Sequence, residues 1–194
     1  MRGRRRLGKN EGSQLVEFAV AMPLLVVFVV GIFDFGQAFN DKLKLNGSAR
    51  EGARLGSSLP TTDLTSNGGT SGTAPPSIDA VRSAVDFYLV AAGLNDCGLN
   101  AFTGMLSGTL TWTYAPGQSQ GNGGCPGQLT LTVNRAYSFK TTVNTVQVDV
   151  ICTRVTISYP FMWHFNSVIQ FLVPGASYAG VTQIPTDAVA PNMD

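Results

Sequence analysis

Residues 9–33 read KNEGSQLVEFAVAMPLLVVFVVGIF, and from Leu15 to Phe33 they carry a single charged side chain, Glu17. As a helix rising about 1.5 Å per residue, Leu15–Phe33 covers roughly 28 Å, close to the hydrocarbon thickness of a bilayer. The stretch therefore reads as a membrane span, and the residues after it as a domain on an anchor. Pro23 removes one backbone donor from that helix, so a kink or local melting over residues 19–23 is expected. A cleaved secretory signal is the competing reading, but its apolar core is shorter and no A-x-A site follows Phe33. An ionised carboxylate in lipid costs at least a few kcal/mol. Glu17 must then sit at headgroup level, take up a proton, or meet a positive group.

The rest of the 194-residue chain is long enough for one modest core and hardly for two. Its formal charge of +1 conceals an asymmetry. Arg2, Arg4, Arg5, Arg6 and Lys9 crowd the first dozen positions, and beyond Gly12 eight basic residues face eleven acidic ones. A basic run can neutralise phosphates without a fold. Beside an apolar segment it reads instead as a cytoplasmic flank that sends the residues after the helix across the membrane, and no nucleic-acid partner is expected.

The helix continues past Phe33 through DFGQAFNDKLKLNGSAREGARLG. Ala38, Leu45, Ala49, Gly52, Ala53 and Gly56 fall near one face at helical spacing, with Asp41, Lys42, Arg50 and Arg54 directed elsewhere. A narrow strip of small residues is thus offered to a folded domain. Gly36, Gly47 and Gly52 weaken the helix, each by about 1 kcal/mol relative to Ala.

The run Gly12-Ser13-Gln14-Leu15-Val16-Glu17-Phe18 resembles the processing motif of type IV pilin-like precursors. EGSQLVEFAVAMPLLVVFVVGIFDFGQAF, followed by SAREGARLG, resembles more narrowly the TadE-like pseudopilins of tight-adherence (Flp-type) pilus systems. The resemblance covers about 45 N-terminal residues. It implies a basic leader, residues 1–12, removed by a prepilin peptidase between Gly12 and Ser13. It also implies that Glu17, followed by the aromatic Phe18, pairs with the free Ser13 amino group of a neighbouring subunit. The expected partners are that peptidase, other pilins and Tad assembly proteins, and membrane lipid. The expected place is the bacterial inner membrane, single-pass, with the N-terminus cytoplasmic and the C-terminal domain periplasmic or extracellular.

Beyond the helix, residues 13–58, comes an extracytoplasmic domain over 59–194. Its first part, LPTTDLTSNGGTSGTAPP (59–76), reads as an exposed flexible loop. A second helix begins near Ser77, which reads as its N-cap, with Asp79 in the first turn. Val81, Ala84, Val85, Tyr88, Leu89 and Ala92 form its apolar stripe, and Gly93 ends it. From about residue 107 the period becomes two: TLTWTYA, QLTLTVNRAYSF and VNTVQVDVICTRVTISYPF alternate as antiparallel strands, the last switching face near Cys152. The tail suggests a short helix and a final strand, with a loose polar end from Pro185. The fold class is α+β: a long N-terminal transmembrane helix, a second helix and a small antiparallel sheet in a pilin-like plan.

Cys97 and Cys125 sit in Gly-rich loops and Cys152 on a strand face with Val148 and Val150, which makes Cys97–Cys125 the best of three pairings. Cys152 is then a buried thiol. His164, the only histidine, lies among aromatics with no nucleophile or orienting acid near it in sequence, so it reads as structural. Metal, cofactor and phosphate-loop motifs are missing from the sequence, and neither a cofactor nor an enzymatic role is expected. Three function classes follow: a pilin-like assembly subunit, an uncleaved anchored binding or adhesin domain, and an anchored enzyme resting on His164 and Cys152. The N-terminus of the mature chain separates the first two.

Overall fold

The computed structural model describes residues 11–67, 73–116, 124–173, 175 and 180–193. Two compact units emerge, one from residues up to 37 together with 163–180, the other from 38–162 together with 181 onward. The basic leader, apart from Glu11 and Gly12, lies outside the described residues.

Helix α1 runs without a break from Glu11 to Ser58. Pro23 sits inside it, and the melting expected over residues 19–23 does not occur. A proline deletes one donor from the ladder, and apolar helices absorb that loss by small local adjustments.

In the second unit the small-residue strip of α1 is where the sequence puts it: Leu45, Ala49, Gly52, Ala53 and Gly56 are buried, while Lys42, Arg50 and Arg54 are exposed. Asp41 departs from expectation, since it lies on the buried side with Lys44 Nζ 3.9 Å from its carboxylate. Burial raises its pKa, and the lysine partly offsets that. The strip lets two elements approach closely. A Cβ on Gly52 would stand 2.6 Å from Val85 Cγ2 of the second long helix, and one on Gly56 would stand 2.8 Å from Thr153 Cγ2 of the sheet. Gly47 faces open space. Gly47→Ala should therefore raise stability by up to about 1 kcal/mol through helix propensity. Gly52→Ala should lower it by about 1–3 kcal/mol because overpacking outweighs the same gain. Thermal unfolding of the two variants of the full chain in detergent checks the opposite signs.

Where the sequence predicts an exposed loop over 59–76, residues 62–67 form a short helix, α2 (Thr62–Asn67), and Leu64 enters the core. Residues 68–72 lie outside those described. The Asp63 carboxylate accepts hydrogen bonds from the Ser77 backbone N–H (2.8 Å) and the Ser77 hydroxyl (3.0 Å). It thereby caps α3 (Pro76–Ala91), whose N-cap is Pro75 rather than the expected Ser77 and offers no side-chain oxygen; Ser77 lies inside the first turn. Helix α3 buries Ile78, Val81, Val85 and Leu89, with Tyr88 of the predicted stripe left partly exposed. It ends as expected at Gly93 (φ 75°), where Leu94 N–H reaches Leu89 O and Gly93 N–H reaches Val90 O. Buried Arg82 donates to Leu99 O and Asn100 O, fastening the following 3-10 turn (Leu99–Ala101) to the helix.

Five strands, β1 (Met105–Gly108), β2 (Thr111–Tyr114), β3 (Thr130–Val143), β4 (Val146–Met162) and β5 (Val181–Pro191), form an antiparallel sheet in chain order. The short β1 was not expected. Nor does a strand run through 144–145: Asn144 and Thr145 both have positive φ and make the two-residue turn of the β3–β4 hairpin. The face switch near Cys152 is real. Asn134 pairs with Arg154 and Tyr137 with Cys152, so Arg135 and Ala136 share one partner position in a bulge, and Cys152 and Thr153 are buried in succession. The tail is not loose beyond Pro185, because residues 185–191 pair with β4 from Ser158 back to Cys152. Both prolines of β5 are compatible with an edge strand, which needs no donor on its outer side. The core gathers Leu45, Ala49 and Ala53 of α1, the buried face of α3, and Trp112, Leu131, Val155 and Ile157 of the sheet.

A Cys97–Cys125 disulfide closes a 28-residue separation with Cα atoms 5.5 Å apart, while Cys152 is a buried free thiol. Burial pushes that thiol's pKa up, the opposite of what a nucleophile needs. Non-reducing peptide mapping should link Cys97 to Cys125 and leave Cys152 alkylated only after unfolding. Reduction should cost roughly 3–4 kcal/mol by loop-closure entropy.

Candidate functional site

In the first unit, α1 presents a surface that an aqueous monomer does not keep. Leu15, Val16, Phe18, Leu24, Phe28 and Phe33 are each more than 60% exposed, and they point in all directions round the helix. The helix is long and apolar enough to cross a membrane. Contiguous apolar surface of this extent marks contact with lipid or with other helices.

Gly12, Ser13, Glu17 and Phe18 stand at the start of this surface, all exposed. Ser13 and Glu17 are one helical turn apart and so share a face. A Cβ built on Gly12 meets no atom of the described residues within 4 Å, so packing among them gives no reason for glycine there. Glu17 has no ion pair with any described residue. Its position near the end of the apolar run leaves the carboxylate open to an external partner.

A second constellation stands at the other end of the run. Asp34, only 4% exposed, accepts the Phe165 backbone N–H at 2.6 Å through Oδ2, and His164 Nδ1 lies 3.3 Å from Oδ1. Phe165 is the first residue of helix α4 (Phe165–Leu172), whose N-cap, His164, provides no side-chain cap of its own. A carboxylate there satisfies an orphan donor and complements the positive end of the helix dipole. The ring of Trp163 meets Phe35 edge-on with centroids 5.1 Å apart. The ring of Phe165 comes within 3.7 Å of the place a Gly31 Cβ would occupy. The acid missing from the sequence neighbourhood of His164 is thus supplied from 130 positions away. Asp34 went unnoticed in the sequence although it had a signal: an acid directly after Phe33, where an apolar run ends. Among the described residues no three His, Cys, Asp or Glu side chains converge as a metal site would require.

The family model described as TadE-like protein matches residues 12–54, the greater part of α1 and all of the Gly12–Phe18 motif. The likeness is confined to that segment, 43 of the 194 residues. Comparison with curated proteins found no match, and comparison with solved structures found none.

Proposed function

We propose that this chain is a minor pilin or pseudopilin of a Tad (Flp-type) pilus, cleaved after Gly12 by a prepilin peptidase and inserted by α1 into the bacterial inner membrane. The cytoplasmic side holds the basic leader, and residues beyond the span lie in the periplasm or outside the cell. After cleavage the Ser13 amino group of one subunit meets Glu17 of the next, an ion pair that low dielectric strengthens and that compensates an otherwise costly acid. The role is structural rather than catalytic and serves surface attachment or secretion-related assembly. A domain of this size on the helix suits a minor subunit better than a small major pilin.

The observation that carries the reading is the TadE-like match over residues 12–54, laid on an exposed apolar helix with one acid at its start. Its partners are other pilins, Tad assembly proteins and the peptidase. Affinity purification of the native chain from piliated cells after mild cross-linking should recover pilin and Tad assembly components. Recovery of the chain alone, from cells that carry assembled pili, would contradict the reading.

A further inference from the structure

Strands β4 and β5 are neighbours whose last pair is Met162 with Val181, and between them the chain makes an excursion closed by Trp163 N–H on Gly180 O at 3.0 Å. A hairpin needs only a few residues to reverse. This one uses eighteen, residues 163–180, and spends eight on α4. Residues 155–186 contain no Asp, Glu, Lys or Arg, a property shared with residues 97–134, so it is the helix within the excursion that sets this connection apart. Helix α4 is amphipathic. Phe165, Val168 and Ile169 are half-buried at helical spacing, Ser167 and Gln170 are exposed, and Val173 beyond it is 57% exposed.

The excursion belongs to the same compact unit as the apolar part of α1. Its attachment point is specific: Asp34 caps α4, Trp163 meets Phe35, and Phe165 covers Gly31. All three contacts fall within the turn where the apolar run of α1 gives way to polar residues. On the membrane-anchored reading, which a second membrane contact requires, that turn lies where hydrocarbon meets headgroups. A charge-free amphipathic helix with a tryptophan at its start, held there, matches the chemistry of that layer, where indole rings concentrate and apolar helix faces sink into the acyl boundary. The buried Asp34 fits as well, since its carboxylate is satisfied within the protein and does not have to face lipid.

We infer that residues 163–173 make a second membrane contact: α4 lies in the outer headgroup layer against the end of the α1 span, with lipid covering the apolar surface that the protein leaves open. Eight residues bind a bilayer weakly by themselves. Tethered to a span, the helix needs no affinity of its own, and its effect is to fix the depth of α1 at Asp34.

Depth-dependent quenching of Trp163 tests this. Trp112, the other tryptophan, is buried in the core, so the signal of interest is what Trp163→Phe removes. The full chain is reconstituted in phosphatidylcholine vesicles brominated either near the headgroup or deep in the acyl chain. The Trp163 component should lose at least half its intensity with shallow bromines, less with deep ones, and little with aqueous iodide. A Phe28→Trp probe placed in the Trp163→Phe background reports on the span and should be quenched by the deep bromines. If Phe28→Trp is not quenched, the anchored reading fails. If it is quenched while Trp163 responds only to iodide, the span stands and the second contact is overturned. Shielding of Trp163 from both quenchers that disappears on dilution into more lipid would assign the surface to a second protein copy and equally overturn it.

Discussion

Glu17→Leu should remain in the membrane and disappear from the pilus. Removing a charge near the start of an apolar helix favours insertion by about 2.5 kcal/mol or more if the residue is at depth, and by less nearer the interface. Retention is therefore preserved in either case. Assembly has the opposite sign. A buried ion pair broken on one side leaves the other charge uncompensated, at about 3–5 kcal/mol, and 1.4 kcal/mol already corresponds to tenfold. Incorporation, read as co-purification with sheared or membrane-held pilus components at equal expression, should fall at least tenfold. Cleavage after Gly12 should be unchanged, because the leader and the glycine are untouched. Normal incorporation of Glu17→Leu would mean that the acid is only an interfacial residue, which its lack of any ion pair with described residues also permits.

Gly12→Val should abolish processing without disturbing the fold. Among the described residues a Cβ at position 12 would meet open space. On the proposed processing, the demand for glycine comes from a peptidase that grips the backbone at the scissile bond, and a branched side chain blocks that approach. The variant should insert normally and keep its basic leader, with cleaved product reduced at least a hundredfold by intact mass. Because an uncut chain has no Ser13 amino group to offer Glu17, it should also fail to assemble. Efficient cleavage of Gly12→Val would remove the pilin-like reading of the motif.

Periodicity and local chemistry suffice to read the long apolar helix, the small-residue strip of α1, the Gly93 stop and the alternation of β2, β3 and much of β4. Each of these depends on residues close together in the chain. What escaped depends on residues far apart. The caps of α3 and α4 are carboxylates from Asp63 and Asp34, fourteen and 131 positions from the amides they satisfy, so the capping groups themselves do not stand beside the helices they cap. The order of residues 185–191 rests on backbone pairing with β4, to which two prolines and polar side chains give no clue. Asp41 reads as a solvent residue; its burial comes from the folded domain around it, with Tyr159 in reach, and Lys44 only partly offsets the cost. Leu64 seemed a stray in a polar loop until the core closed over it. The Gly12 to Phe18 motif reads from adjacent residues alone, and the folded chain adds that these residues are exposed and that Glu17 has no ion pair among the described residues.

Processing as a pilus subunit makes the N-terminus of the native protein depend on the prepilin peptidase. The chain should begin at Ser13 in cells that have the peptidase and keep the leader through Gly12 in cells that lack it. An N-terminus that is the same in both strains would contradict it, leaving α1 as an ordinary anchor and Glu17 without an amino group to meet.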